Sequence, residues 1–126
     1  MSAFYTIDKE RRLVITSGAG NLTKEDILGH MERLSADPDF EPDFCQLADF
    51  RHITDIQFGP EEVRQFAERD IYSPNARRAL LVKDDLQFGL ARMFEIYREL
   101  HGETGIRVFR TLDEALDWVL QGEIAS

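Results

Sequence analysis

The sequence holds a single cysteine, Cys45, in 126 residues. An internal disulfide is therefore excluded, and so is a structural zinc site built on several thiolates. Long apolar runs are missing as well. No stretch approaches the ~18 consecutive apolar residues of a membrane-spanning helix, and stable membrane insertion is not expected. The opening residues, Met1 to Thr6, lack the basic segment and following apolar segment of a secretory leader, so a cytoplasmic protein is expected. Positive charge is scarce: 15 Lys and Arg against 24 Asp and Glu give a formal net charge of -9. That charge repels phosphate backbones at long range, and no nucleic-acid partner is expected. What remains is a hydrophobic fraction of 43%, enough for one core, in a length that suits a single domain over 1–126.

The chain alternates between the two periodicities of regular structure. Phe4 and Thr6 belong to an alternating segment, Asp8 to Arg12 is a polar turn, and Leu13 to Thr16 is a second strand, which together read as a hairpin. Gly18-Ala19-Gly20 ends that strand as a turn; the dinucleotide fingerprint and the phosphate-loop lysine are both missing there. Thr23 and Asp26 form a short capping box for a helix whose Ile27, Leu28, Met31 and Leu34 share one face. Two prolines, Pro38 and Pro42, force an extended connection to a strand over Cys45 to Phe50. Pro60, with Glu61 and Glu62, opens a second helix whose inward residues are Val63, Phe66 and Ala67.

Ala79 to Val82 is apolar on both alternating sets, as a strand covered on two sides must be. The longest helix follows, from Leu86 through Leu90, Met93, Phe94, Tyr97 and Leu100, and Gly102 closes it. Ile106 to Phe109 is a last strand, and Thr111 with Glu114 caps a last helix. Single helices between successive strands favour a parallel sheet. The predicted fold is α/β: a mostly parallel five-stranded sheet with an antiparallel N-terminal edge strand and four main helices. Cys45, Leu47, Ile106 and Val108 are expected on one side of the sheet and Gln46, Ala48, Arg107 and Phe109 on the other, with unequal cover of the two faces.

This order resembles the SpoIIAA-like superfamily, which holds the STAS anti-sigma-factor antagonists and, more distantly, the lipid-binding SEC14/CRAL-TRIO proteins. The likeness covers nearly the whole chain and is strongest to small bacterial proteins of unassigned function. It is carried by Thr23-x-x-Asp26, Asp37-Pro-Asp-Phe40, Leu47-Ala-Asp-Phe-Arg51, Phe88-Gly-Leu-Ala-Arg-Met93 and Val108-Phe-Arg-Thr-Leu-Asp-Glu-Ala115. In STAS antagonists a serine at the start of the second helix is phosphorylated to switch partner binding. The matching stretch here, Ile56 to Pro60, has no Ser or Thr, and Thr54 lies too early. The resemblance therefore implies the scaffold and its binding surface, without that switch.

The chemistry-bearing residues form no recognised constellation. His52 stands between Asp49 and Asp55, yet neither a nucleophile nor an open metal position accompanies it. His30 and His101 fall on helices and carry no catalytic task on this reading. Cys45 shares a strand side with Leu47, where a cysteine acts as a small hydrophobe. Asp37, Asp39, Glu41 and Asp43 alternate like a calcium loop, but Pro42 and Ala48 occupy the positions of its glycine and bidentate glutamate. Arg77-Arg78 reads as a carboxylate anchor. No catalytic residue, metal or cofactor is assigned.

Apolar side chains on the long helix exceed one core contact, because Phe88, Met93, Phe94 and Ile96 widen the stripe. Besides burial, a dimer contact or an apolar pocket would use them, the pocket walled by Phe58, Phe88 and Tyr97 with Arg92 seeking an anion. Ligands of open α/β sheets gather beyond the carboxyl ends of strands, which puts Arg51, Thr54, Gln57 and Phe88 near one mouth, in the loops after Asp49 and Val82. The leading expectation is a non-enzymatic regulatory or protein-interaction module, acting as a homodimer or on a protein partner. The alternative is a binding protein for a small lipophilic or anionic ligand.

Overall fold

Nine elements alternate along the chain: β1 (Ala3–Asp8), β2 (Leu13–Thr23), α1 (Lys24–Ala36), β3 (Cys45–Gln57), α2 (Pro60–Glu68), β4 (Arg78–Leu81), α3 (Asp85–Leu100), β5 (Ile106–Phe109) and α4 (Leu112–Ala125). The structure, a computed structural model, describes residues 3–125, with side chains as far as Gln121. The strands form one five-stranded sheet in chain order, with β1 antiparallel to β2 and every other pair parallel. The expected α/β architecture, edge strand included, is present.

Each parallel strand is laid down on the same side of its predecessor, so crossovers of one hand put their helices on one face. Leu34 of α1 packs with Val14, and Ala91 of α3 packs with Ala48, Leu80 and Val82. On the opposite face Ala115 and Val119 of α4 pack on Leu13, Leu47, Ala79 and Leu81. This α4 contact reaches β3, β4 and β5. On the same face of β1 and β2, Phe4 and Ile15 are left 51% and 36% exposed. The faces are thus unequally covered, as the alternation implied.

Three sequence expectations are corrected. Gly18-Ala19-Gly20 is no turn: β2 runs through it to Thr23, with register shifts against β3 between Ser17 and Ala19 and between Gly20 and Asn21. Gly20, at φ 73, takes a left-handed conformation on the unbulged strand beside the second shift. Likewise β3 does not end near Asp49 but continues to Gln57. Its register passes from Ser17↔Asp49 to Ala19↔His52, so the extra residue on β3 breaks the alternation by which a strand is recognised. The carbonyls around this kink are satisfied by buried Gln87, whose amide donates to Phe50 O at 3.0 Å and Ile53 O at 3.3 Å. Finally, Ile106 and Val108 lie on the Gln46 side, because the registers Gln46↔Arg78 and Arg78↔Ile106 put all three in one row.

Helix starts follow the sequence closely. Thr23 and Asp26 exchange both capping-box bonds, at 3.0 and 3.1 Å, a device worth about 1 kcal/mol. Pro60 is the first residue of α2, and Glu62 reaches back to Gly59 N at 2.7 Å. Thr111 accepts from Glu114 N at 3.4 Å ahead of α4. At the other end of α3, Gly102 takes φ 92, the left-handed conformation that terminates helices.

Candidate functional site

Between the sheet and the layer formed by α1, α2 and α3 lies a cavity of about 140 Å³. It exists because α2 packs chiefly on α3 and meets α1 only sparsely, which leaves the sheet between them unfilled. Leu22, Ile27, Ile53, Phe58, Phe66 and Phe94 give apolar walls. Phe58 and Phe66 meet edge to face with ring centroids 5.2 Å apart.

One row of polar side chains interrupts those walls. Thr16, His30, Gln46, Asp70, Tyr72 and Arg78 all line the cavity. His30, Gln46 and Arg78 are 5%, 6% and 4% exposed. The row is continuous. Arg78 Nε donates to Gln46 Oε1 at 3.1 Å, Gln46 Nε2 donates to Thr16 Oγ1 at 3.1 Å, and Thr16 Oγ1 lies 3.2 Å from His30 Nε2. Strand alternation places this row: Gln46 and Arg78 are paired in register, and Gln46 opposes Val14, two residues before Thr16.

Arg78 also anchors a buried ionic cluster. Its guanidinium is paired with Asp70 and reaches Glu103 Oε1 at 3.4 Å, while Arg98 Nε contacts the same carboxylates at 3.1 and 2.7 Å. Arg98 Nη1 further donates to Ala67 O at 2.8 Å, and the Arg78 guanidinium stacks 4.2 Å from the Tyr72 ring. Burial opposes the charge on Arg78, but Asp70 and Glu103 outweigh it and raise its pKa. Two cations and two anions leave the cluster neutral. Burial, with the Arg33 charge adding to it, lowers the pKa of His30 to about 4, so the imidazole is neutral at pH 7. Burial likewise raises that of the Tyr72 phenol. Among the described residues, His30 Nδ1, the Tyr72 hydroxyl and Glu103 Oε2 are buried without a hydrogen-bond partner.

The residues singled out from the sequence are not brought together. Because β3 continues past Asp49, no loop mouth forms there. Arg51 lies within β3, where its Nε and Nη2 fork onto Asp49 at 3.0 and 2.9 Å. Despite burial, that pairing lowers the Asp49 pKa. Thr54 is exposed beside a shallow depression of about 60 Å³ shared with Asp84 and Leu86. Gln57, exposed, donates to Asp55 at 3.1 Å. Phe88 packs with Ala48 and Leu80 beneath the Arg110 guanidinium, half-buried Tyr97 does not line the cavity, and exposed Arg92 pairs with Glu95 at 2.9 Å. Phe58 alone of these lines the cavity.

Other candidates have mundane engagements. Asp37 accepts from Tyr5 and from Asp39 N at 2.8 and 2.9 Å. Asp39 pairs with Lys9, and Glu41 and Asp43 pair with Arg12. His52 and His101 are exposed, and Cys45 is half-buried against the Leu13–Leu47 cluster. Among the described residues, no cluster of three or more His, Cys, Asp or Glu side chains is arranged to hold a metal ion, and no helix is long and apolar enough to cross a membrane.

Fold and cavity together define an α/β domain of SpoIIAA-like architecture. A crystal structure of an uncharacterized DUF3478-family protein with a SpoIIAA-like fold, from Shewanella loihica PV-4, superposes with a TM-score of 0.61 at 17% identity and covers 94% of each chain. At that identity the likeness is one of fold, and it bears out the SpoIIAA-like fold expected from the sequence. No protein-family profile matches the chain, and no curated protein matches it by search.

Proposed function

We propose that this SpoIIAA-like domain is a non-enzymatic binding module that takes a small, largely apolar molecule into the cavity beneath α1, α2 and α3. The observation that carries this is the cavity itself: about 140 Å³ with apolar walls and one continuous polar row. An apolar protein cavity of about 150 Å³ is known to admit a single benzene-sized ring. The neutral balance of Arg78 and Arg98 against Asp70 and Glu103 supports an uncharged ligand over an anion, since among the described residues Arg78 is the one Lys or Arg lining the space and it is paired. Arg92, already paired with Glu95, is not part of this site. Two-dimensional amide NMR titration with toluene tests the reading: shifts should concentrate at Leu22, Ile53 and Phe58, and Ala91→Phe, which fills the space, should remove them. Absence of saturable shifts in the wild type refutes it.

A second reading, self-association as a regulatory interaction module, is favoured by the outer side of α3. Leu86, Ile96 and Leu100 are 63%, 44% and 79% exposed. Leu86, Met93 and Leu100 recur every seven residues, so an antiparallel pair of α3 helices centred on Met93 brings Leu86 of one copy against Leu100 of the other. Sedimentation equilibrium should report a dimer that Leu100→Glu dissociates. A wild-type monomer at high concentration discards it.

A further inference from the structure

The outer side of α3 repeats over more positions than its three exposed apolar side chains. Leu86, Gly89, Met93, Ile96 and Leu100 follow one another at intervals of three, four, three and four residues, the spacing that keeps positions on one seam of a helix. Gln87, Ala91 and Arg98, the buried residues of α3, lie on its other side. Gly89 is exposed like Leu86, Ile96 and Leu100, and Met93 is half-buried. Within the monomer this glycine has no use. Its backbone is helical, with no positive φ to accommodate, and a Cβ built there meets no atom within 4 Å among the described residues. Glycine in the interior of a helix is less stable than alanine, so its presence calls for a gain outside the monomer.

We infer that Gly89 is the point of closest approach in a symmetric antiparallel pair of α3 helices, where it receives Ile96 of a second copy of this chain. The inference rests on the self-association reading and fixes its register. A two-fold axis at Met93 that sets Leu86 against Leu100 also carries Ile96 over the hole bounded by Leu86, Gly89, Leu90 and Met93 of the other copy. Of those four positions only Gly89 lacks a side chain, so the hole is deepest there and the two backbones come close. A second copy is the fitting occupant because the seam complements itself: its one gap falls opposite its one β-branched residue. Charge agrees with this. The same axis brings Glu99 of one copy to the end of α3 where Asp85 holds Arg110 of the other at 2.8 Å, so an anion meets a cation at both ends of the contact.

Sedimentation equilibrium of the full chain and its variants tests this. Gly89→Leu should weaken the dimer by about tenfold or more, since it overfills the hole. Adding Ile96→Ala should recover most of that loss, because the smaller side chain vacates the space that the new leucine takes. In the Leu100→Glu background, where both proteins are monomers, Gly89→Leu should leave the thermal midpoint equal or higher, as a better helix former at an open position requires. A lowered midpoint there overturns the assignment of Gly89 to the interface. If the wild type dimerises but Gly89→Leu is as tight, or if Ile96→Ala deepens the loss, the register falls while self-association stands. If the wild type is a monomer at high concentration, the self-association reading falls and this inference with it.

Discussion

Histidine 30 offers a measurable consequence of burial in the cavity wall. In the unfolded chain an imidazole takes up its proton around pH 6.5, whereas in the folded protein burial and the nearby Arg33 charge postpone this to about pH 4. Between those values the unfolded state binds more protons, so stability must rise with pH across this window. The contribution is intact above pH 6.5 and is lost as the pH falls toward 4. A shift of that size corresponds to about 3 kcal/mol, of which about 2.5 kcal/mol should be gone at about pH 4.5.

Urea unfolding of wild type and His30→Gln at about pH 7.5 and about pH 4.5 isolates this term, since the other titrating groups are common to both proteins. Asp37 and Asp49, whose pKa values are lowered from 3.8, titrate mainly below the window. The wild-type midpoint should fall about 1–2 M further than that of the variant on acidification. Equal pH dependence in the two proteins would falsify the placement of a neutral imidazole in this wall.

Further outcomes follow from the buried and backbone contacts. Asp70→Asn or Glu103→Gln strands buried guanidinium charge and should cost about 3–5 kcal/mol by chemical denaturation, whereas Lys9→Ala, which removes the exposed pair with Asp39, should change stability by less than about 1 kcal/mol. Gly105→Ala would drive a Cβ into the carbonyl oxygen of Ala76, at a position held by the Arg78 N and Trp118 Nε1 bonds to Gly105 O; a loss of at least about 2 kcal/mol is expected in the same assay. Gly20→Ala meets no atom within 4 Å, so thermal unfolding should report only the left-handed backbone cost of about 1 kcal/mol.

Most of the fold was legible because its signals are local. The capping box at Thr23, the side-chain cap at Thr111, proline at the start of α2 and glycine after α3 each act within a few residues, and each is found in place. What failed was any inference that ran across a bulge. Two extra residues of β3, one between Asp49 and His52 and one between Ile53 and Asp55, turn Ile53 and Ile56 to the cavity side, away from the side of Leu47, and the strand looks finished seven residues early. Gly18 and Gly20 told the same misleading story on β2, since glycine sits within a strand beside a register shift as readily as in a turn. A mouth expected beyond Asp49 vanished with that loop, and Arg51, Thr54 and Gln57 became strand residues, none of which lines the cavity.

The site itself was hidden for a different reason. Thr16, His30, Gln46 and Arg78 come from four elements, and a chain of hydrogen bonds between neighbouring strands needs no fixed sequence spacing. One clue was present. Gln46 sits between Cys45 and Leu47, and Arg78 directly precedes the apolar Ala79 to Val82, so each is a polar residue at an inward position of a strand. Buried polar groups on interior strands must find partners on adjacent strands at the same depth. With the chain-order sheet known, that requirement alone leads from Arg78 to Gln46 and on to the β2 hydroxyl. The helix packed above β2 must then supply the next partner, and α1 offers His30 there. The row stops at its Nδ1, which is buried without a partner among the described residues.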